Sequence, residues 1–300
     1  MTATNAANES TTDSIDSIDS IDSRDTSEIE RPPIAMIAMD LDGTILEAGE
    51  HIRPEVIEAL TALTAQGVRC VTATGRQASF QVDLFARYEM DPATGNVIQA
   101  LIGDEREIFT SQDGAYQSHN EWNDELRARW VGLFPLAWSL LNETKAEAEG
   151  RGWEIEHLQP EEIAFERGLP TLVCEDAAQG ASLCLWIQEQ IDTRNLPLAT
   201  NRNIRLVQIF DVQTGKGPAL AELARMLGIP NNQVLAIGDS SNDYTMLDGR
   251  FGFGFRTATL GNAEDELKAI VRATGGYVAE ANSGLGTVEA INALTFVTVP

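Results

Sequence analysis

Basic residues are scarce in this sequence of 300 residues, which has 21 lysines and arginines against 46 aspartates and glutamates. The formal net charge is therefore −25, and a surface of this sign repels other polyanions, so no nucleic-acid partner is expected. If a chain with this charge handles an anionic substrate, its site needs local cations or a bound metal ion.

Cysteine, histidine and long apolar runs are also scarce. The three cysteines lie in apolar surroundings without a Cys-x-x-Cys pair, which indicates reduced thiols in the core of a cytoplasmic protein. The three histidines are scattered and fit no metal-binding spacing. No apolar run reaches 18 residues and no signal-peptide core is present, so neither a membrane span nor a membrane partner is predicted.

Composition divides the chain into three parts. Residues 1–33 are rich in Ser, Thr, Asp and Asn, with eight acidic and two basic residues, and they predict a disordered acidic tail. Residues 34–110 and 202–300 alternate strand-like and helix-like segments, which is typical of a doubly wound α/β domain with a parallel sheet. All five tryptophans lie in residues 111–201, which predict an inserted α+β domain with tryptophans as core anchors.

Two carboxylates follow the first strand-like segment, in Asp40-Leu41-Asp42-Gly43-Thr44. These residues come after the apolar run at 34–39, which predicts a fully buried strand. In open α/β sheets, ligands bind at the carboxyl ends of the strands, where these two carboxylates would lie. By itself the pattern is also typical of an ordinary solvated turn.

Two further predicted strands end in polar residues of the same kind. The strand at 68–73 ends in Thr74-Gly75-Arg76, and the strand at 234–237 ends in Gly238-Asp239-Ser240-Ser241-Asn242-Asp243. Lys216 begins a predicted helix between them. If the strands are parallel, all of these side chains open on one edge of the sheet.

Carboxylates gathered in this way repel one another unless a cation lies between them. Mg²⁺ suits a site of few carboxylates that also holds water and phosphate. Thr74, Lys216 and the backbone amide of Gly75 are the donors that a phosphoryl group needs as charge spreads over its oxygens. A carboxylate can attack phosphorus, and a second one can protonate the leaving oxygen.

Four motifs in this order resemble those of the haloacid dehalogenase superfamily: DLDGT (40–44), ATGR (73–76), GKGPAL (215–220) and GDSSND (238–243). The long insertion between the second and third motifs resembles that of the Cof-type phosphatases with a type IIB cap, relatives of sugar-phosphate and sucrose-phosphate phosphatases. The resemblance spans residues 34–300. It implies a Rossmann-like core with a parallel sheet, residues 34–110 and 202–300, and an α+β cap of type C2B, residues 111–201.

The resemblance also implies roles for single residues. Asp40 would be the nucleophile and Asp42 the general acid and base. The phosphoryl group would be bound by Thr74, Gly75, Lys216 and Asn242. Mg²⁺ would be bound by Asp40, the backbone carbonyl of Asp42 and Asp239, with Asp243 orienting a metal-bound water. Arg76 could contact the substrate or form a structural ion pair. Tyr116, Arg127 and Arg202 are candidates in the cap or its hinges for contacts to the rest of the substrate.

The sequence departs from the family pattern after the fourth motif, where Phe253-Gly254-Phe255-Arg256-Thr257 precedes Gly261-Asn262-Ala263. This departure concerns the geometry of a flanking loop. We expect a short strand at 251–255, near this departure.

The expected function is a Mg²⁺-dependent phosphatase that hydrolyses a small phosphorylated metabolite, with a sugar phosphate favoured, through an aspartyl-phosphate. A phosphotransferase or phosphomutase on the same scaffold fits the motifs equally well. A non-catalytic binding or regulatory protein, with the acidic tail facing its partner, is a third alternative. The complete set of acids and lysine argues against it, because buried charges are costly to keep for structure alone. The sequence indicates neither the substrate nor the oligomeric state.

Overall fold

The computed structural model describes residues 32–167 and 169–295, so nearly all of the predicted tail lies outside the described residues. Eight strands form one large sheet in which six neighbouring strands are parallel and the last two are antiparallel. The predicted α/β architecture with a parallel sheet is therefore confirmed. Across the sheet the strands are β12 (Tyr277–Val278), β11 (Arg256–Thr259), β10 (Val234–Gly238), β1 (Met36–Met39), β2 (Arg69–Ala73), β3 (Ile98–Gly103), β4 (Glu107–Gln112) and β5 (Ala115–Ser118).

Helices cover both faces of this sheet, which explains why β1 is apolar at every position. Ile37 and Met39 pack into one apolar cluster, whereas Met36 and Ala38 pack into a second one on the opposite face. This is the alternation that a pleated strand buried on both sides produces. The helices beside the sheet are α1 (Pro54–Ala65), α2 (Ala78–Arg87), α6 (Lys216–Met226), α7 (Tyr244–Leu247), α8 (Asp265–Ala273) and α9 (Ser283–Leu294).

The parallel register brings three strand ends together. Met39 of β1 is paired with Ile237 of β10 on one side and with Thr72 of β2 on the other. The segments that follow these strands therefore leave the sheet side by side. The central position of β1 places Asp40 between the other two strand ends.

A second, four-stranded antiparallel sheet has its own apolar core. Trp130, Leu141 and Leu183 lie in this core, and three other tryptophans pack against it. Trp122 instead packs against the large sheet and donates a hydrogen bond to the carbonyl of Arg106. The strands, in order across the sheet, are β6 (Glu156–His157), β7 (Thr171–Val173), β9 (Leu206–Asp211) and β8 (Leu198–Asn203), beside α3 (Asn120–Gly150), α4 (Glu161–Arg167) and α5 (Ala177–Arg194).

The division of the chain into a core and an insertion stays a prediction. The boundary expected after residue 110 falls inside β4, and the boundary expected after residue 201 falls inside β8. β5 still belongs to the large sheet, while β9 belongs to the small one.

One predicted strand is wrong. Residues 251–255 form no strand, and β11 begins only at Arg256. Gly252 and Gly254 have φ angles of 67° and 76°, which lie in the left-handed region and break the extended backbone that a strand requires.

The three cysteines are free, as expected, with Cys70 and Cys174 buried and Cys184 half-buried. Among the described helices, none combines the length and the hydropathy that crossing a membrane would require.

Candidate active site

The site begins with the turn that follows β1. Asp40 is 3% exposed, and its backbone amide donates to the carbonyl of Ile237 at 2.9 Å, which continues the ladder between β1 and β10. Gly43 then adopts a φ of 80°, and a Cβ atom there would clash with the Asp239 carboxylate. Only glycine therefore lets the turn after Asp40 approach Asp239 this closely.

Lys216 lies fully buried at the floor of the site. Its Nζ donates to Asp40 Oδ1 at 2.7 Å and to Asp243 Oδ1 at 2.6 Å. The first turn of α6 holds this ammonium, and Gly217 lets the helix pack directly against the carbonyl of Thr245. A cation fixed in this way limits where the Asp40 carboxylate can point.

Asp243 also shapes the backbone around it. Its second oxygen, Oδ2, accepts hydrogen bonds from the amides of Asp239 and Ser240 at 2.9 and 3.0 Å. Both oxygens of this carboxylate therefore have partners within the protein. The two amide bonds fix the turn that carries Asp239.

Asp239 is held by two neutral donors. Thr44 Oγ1 donates to its Oδ1 at 3.0 Å, and Asn262 Nδ2 donates to its Oδ2 at 2.8 Å. Asn262 also bonds the carbonyl of Gly43 at 3.0 Å, so that it ties this turn to the turn after β1. No cation among the described residues forms an ion pair with Asp239.

The concentration of carboxylates shifts their protonation. Burial raises the pKa of Asp40 well above its ordinary value, with Lys216 opposing the shift and the neighbouring acids adding to it. Burial and the charge of Asp243 raise the pKa of Asp239 to about 7. Burial alone would lower the pKa of Lys216, but the charges of Asp243 and Asp40 raise it, so the ammonium stays protonated.

These residues fit a divalent cation. One oxygen each of Asp40, Asp239 and Asp243 lie within 4.8 Å of one another. Hard oxygen donors at this spacing, with the pKa of Asp239 raised in the absence of a cation, suit Mg²⁺. The Asp42 side chain points elsewhere, so Asp42 could contribute its backbone carbonyl but not its carboxylate in this arrangement.

Asp42 forms a bidentate ion pair with Arg76 at the rim. Arg76 Nε and Nη2 donate to Asp42 Oδ2 and Oδ1 at 2.8 and 2.7 Å, and the guanidinium lies 4.2 Å over the ring of Phe80. The Asp42 side chain is 52% exposed, so it can be reached from solvent. Arg76 therefore holds the Asp42 carboxylate at the cavity lining, outside the cluster of oxygens that Asp40, Asp239 and Asp243 form.

A cavity of about 480 Å³ opens above these groups and is closed on its far side by the small sheet. Thr74, Gly75 and Asn242 line it, as the motifs predict for a phosphate site. The small sheet and the segments beside it contribute neutral amides, a hydroxyl and aliphatic side chains: Leu158, Gln159, Leu169, Thr171, Ile204, Leu206 and Gln208.

The structure does not bring every predicted substrate contact to this cavity. Tyr116 donates to the carbonyl of Ile98 at 2.8 Å and packs against the core of the large sheet. Arg127 pairs with Asp124 and Glu107. Neither of them lines the cavity.

Arg202 lies beside the cavity and approaches it indirectly. Its Nη2 donates to Glu264 Oε2 at 3.3 Å, and its Nη1 donates to the carbonyl of Ile204 at 3.0 Å. Glu264 and Ile204 both line the cavity. Arg202 therefore places two lining residues.

Three residues that the sequence analysis did not select belong to the site. Thr44 lies inside the first motif, and Asn262 lies in the Gly-Asn-Ala segment, so both were within reach of motif analysis. Glu105 is 5% exposed, and its Oε1 accepts from Asn242 Nδ2 at 3.1 Å. It follows β3, so the rule that sites form at strand ends could have identified it.

Comparisons with known proteins agree with this geometry. A family model described as haloacid dehalogenase-like hydrolase matches residues 37–130 and 138–286. A phosphoglycolate phosphatase of Methanothermobacter thermautotrophicus is 27% identical over 255 residues, which cover 85% of this chain and 96% of that protein. A putative phosphatase of Streptococcus pyogenes is 23% identical over 273 residues, covering 86% and 97%. Among solved structures, the sucrose-phosphatase of Synechocystis sp. PCC6803 has a TM-score of 0.64 at 19% identity, over 89% of this chain and all of that one.

Proposed function

The chain belongs to the family of haloacid dehalogenase-like hydrolases, and we propose that it is a Mg²⁺-dependent phosphatase acting on a small phosphorylated metabolite. The observation that carries this proposal is the buried ammonium of Lys216, which bonds Asp40 and Asp243 at the floor of the cavity. A nucleophilic carboxylate needs a fixed orientation and a cation to offset its charge before it can approach a phosphate dianion.

Mg²⁺ would be held by the carboxylates of Asp40 and Asp239 and by the backbone carbonyl of Asp42. When bound, the ion offsets the negative charge of these carboxylates and of the phosphoryl group. Asp243 would act from outside this set, because its oxygens already bond Lys216 and two backbone amides. It would thereby keep Lys216 and Asp239 in place.

In the first step, an oxygen of Asp40 attacks phosphorus, and the bond between phosphorus and the ester oxygen breaks. The leaving oxygen takes the electron pair of that bond and a proton from the Asp42 carboxyl group. Asp42 must first leave Arg76, which its exposed position at the rim allows. The products are the free alcohol and an aspartyl-phosphate on Asp40.

In the second step, water attacks the phosphorus of the aspartyl-phosphate while Asp42, now ionised, takes a proton from that water. The bond between phosphorus and the Asp40 oxygen breaks, which regenerates the carboxylate and releases inorganic phosphate. Through both steps, Thr74, Lys216, Asn242 and the amide of Gly75 bind the phosphoryl oxygens.

The cavity wall supports a sugar phosphate as substrate. Gln159, Gln208 and Thr171 offer neutral donors and acceptors, which match the hydroxyl groups of a sugar. The aliphatic side chains between them can cover the apolar face of a sugar ring. The small sheet would then select the leaving group and shield the reaction from bulk water.

A phosphate-release assay over a panel of phosphorylated metabolites, run with Mg²⁺ and then with EDTA, tests the proposal. Asp40→Asn should lower the rate of release by about a thousandfold or more, because it removes the nucleophile. Asp113→Asn, the same change in an exposed turn outside the cavity lining, is the matched control and should keep full activity. Wild-type release that persists in EDTA, or unchanged release by Asp40→Asn, would contradict the proposal. Product analysis with an added acceptor alcohol separates hydrolysis from phosphoryl transfer.

A further inference from the structure

Among the described residues that line the cavity, Glu105 and Glu264 are the two acids that the proposed chemistry does not use. Asp42 is paired with Arg76, and Glu264 is paired with Arg202. Glu105 accepts a hydrogen bond from Asn242, but within residues 32–167 and 169–295 it forms no ion pair. Burial raises the pKa of Glu105 above its ordinary value, and the charge of Lys216 opposes this shift only in part. The cost of burying this carboxylate is therefore not fully offset, and its retention beside a phosphate site calls for a functional reason.

The backbone at this position is unusual as well. Asp104 and Glu105 have φ angles of 45° and 62°, so two successive residues other than glycine occupy the left-handed region. Such a conformation is unfavourable for residues with a Cβ atom and persists where the surroundings impose it. Here the amide of Asp104 donates to the carbonyl of Arg76 at 3.1 Å, and the amide of Glu105 donates to that of Thr74 at 2.9 Å.

These two bonds fix Glu105 against the phosphate-binding segment. A Cβ atom placed on Gly75 would lie 3.3 Å from Glu105 Oε1, so the carboxylate packs directly on the backbone there. Asn242 holds it from the other side. Glu105 thus lines the cavity beside Gly75 and Asn242, which are proposed to bind the phosphoryl group, so a group carried close to the ester oxygen would come near its carboxylate.

Resting on the proposed phosphatase function, we propose that Glu105 determines specificity by the charge of the leaving group. It binds an ammonium or hydroxyl group carried close to the ester oxygen, and it excludes a carboxylate there. The substrate class is a phosphate monoester of a small amino alcohol, amino sugar or polyol. A phosphorylated hydroxy acid is disfavoured.

The charges of the cavity support this assignment. In the described part of the chain, Arg76 is the one cation that lines the cavity, and Asp42 engages it through both oxygens. Lys216 lies beneath the floor and is shared by Asp40 and Asp243. Among the described lining residues, no cation without an acidic partner is thus available to a carboxylate on the leaving group, whereas an ammonium there would complete an ion pair with Glu105. This specificity would separate the chain from the relative that is named as a phosphoglycolate phosphatase.

Three esters of nearly equal size test the proposal: phosphoethanolamine, 2-hydroxyethyl phosphate and 2-phosphoglycolate. Each carries a two-carbon group on the ester oxygen, in which the second carbon bears an ammonium, bears a hydroxyl or is itself the carbon of a carboxylate. At saturating Mg²⁺, wild-type kcat/KM for phosphate release should fall in that order, by about tenfold or more from the first to the last. Where release is too slow to measure, the inhibition constant of each ester against hydrolysis of p-nitrophenyl phosphate gives the same ranking.

Glu105→Gln should bring the three esters to within about threefold of one another, because the amide keeps the shape and loses the charge. Glu105→Gly is the second variant, since glycine suits the left-handed backbone and keeps the test valid if Gln impairs folding. Asp104→Asn removes the neighbouring charge in the same turn, outside the cavity lining, and should preserve the wild-type ranking.

The possible failures are distinguishable. If the wild type releases no phosphate from p-nitrophenyl phosphate or from any ester, the proposed function fails, and this inference fails with it. If phosphate is released but the three esters react or compete equally, the inference alone is wrong. The same holds if phosphoglycolate ranks first, or if both Glu105 variants keep the wild-type ranking.

Discussion

At the scale of single residues, the site is a balance of buried charges around Lys216. The Lys216 and Asp243 side chains are fully buried, and that of Asp40 is 4% exposed. Burying three charges costs several kcal/mol of desolvation for each ion, which their mutual attraction offsets only when the geometry is good. Such a group is poor at stabilising a fold but well suited to holding a nucleophile in one orientation. The presence of these three buried charges at the end of β1 is therefore better explained by a role in catalysis than by a contribution to stability.

The first prediction at this scale concerns pH and Mg²⁺. The pKa of Asp239 is raised from its ordinary value of 3.8 to about 7 in the folded, metal-free protein. Between these values the folded state binds a proton that the unfolded state has lost, so the stability of the metal-free protein falls as pH rises from about 4 to about 7. Mg²⁺ competes with that proton, and the increase in Tm on adding Mg²⁺ should be larger at pH 8 than at pH 5.5.

Thermal unfolding in Mg²⁺ and in EDTA at both pH values measures this effect. Asp239→Asn cannot ionise at this position. The variant should therefore lose most of the Mg²⁺-induced increase in Tm, and the increase that remains should differ little between the two pH values. An equal increase in Tm at both pH values would show that Asp239 does not titrate as described.

At the scale of secondary structure, the elements with a clear apolar period were predicted well, and those shaped by distant contacts were not. Apolar residues at helical spacing between Pro54 and Gly67 predict a helix, which is α1, and the buried strand predicted at 234–237 is β10. The amphipathic pattern at 121–133 predicts a helix of that length, which instead continues through Pro135 to Gly150. Its second half is stabilised by burial of side chains such as Leu140 and Leu141 in the small core, which overrides the local penalty of proline.

The site shows the same division. The sequence predicted that side chains at the strand ends would lie together, because parallel strands open on one edge, and Asp40, Thr74 and Asp239 do line one cavity. Glu105 was missed because its importance lies in two left-handed residues and in contacts to Asn242 and Gly75, which are distant along the chain. The position of this segment after β3 could have indicated a site residue, but no pattern within residues 103–106 reports these contacts.

The second prediction concerns the start of α6. Gly217→Ala should lower the free energy of unfolding by about 2 kcal/mol or more, because the new methyl group clashes with the carbonyl of Thr245 and either α6 or α7 must move. It should also reduce activity, since Lys216 moves with the helix. Gly132→Ala in α3, where nothing lies within 4 Å, is the matched control and should stabilise the protein by about 0.5–1 kcal/mol.

Denaturant unfolding of the two variants beside the wild type measures both changes in the free energy of unfolding, and the phosphate-release assay measures activity. If Gly217→Ala is as stable and as active as Gly132→Ala, the close packing of α6 on α7 does not position Lys216.

At the scale of the whole molecule, two sheets with separate cores meet around one cavity, the large sheet supplying the reactive edge and the small sheet the opposite wall. The order of the motifs predicted that the large sheet supplies the reactive edge. The contribution of the small sheet depends on which residues of the insertion face the cavity, and those residues follow no motif. The net charge of the chain follows from its composition alone, and this charge should affect the rate at which the substrate reaches the cavity.

A chain with a net charge of −25 repels a phosphate ester on approach. Raising the ionic strength from about 0.01 M to about 0.15 M shortens the Debye length from about 30 Å to about 8 Å and screens this repulsion. We therefore expect kcat/KM for a phosphorylated substrate to rise with salt, by about two- to fivefold, at saturating Mg²⁺.

A neutral osmolyte at equal osmolality is the control and should have no such effect. A variant lacking residues 1–31, which carry eight acidic and two basic residues, should show a weaker dependence with unchanged kcat. A fall in kcat/KM with salt would mean that a local positive potential at the cavity outweighs the charge of the whole chain.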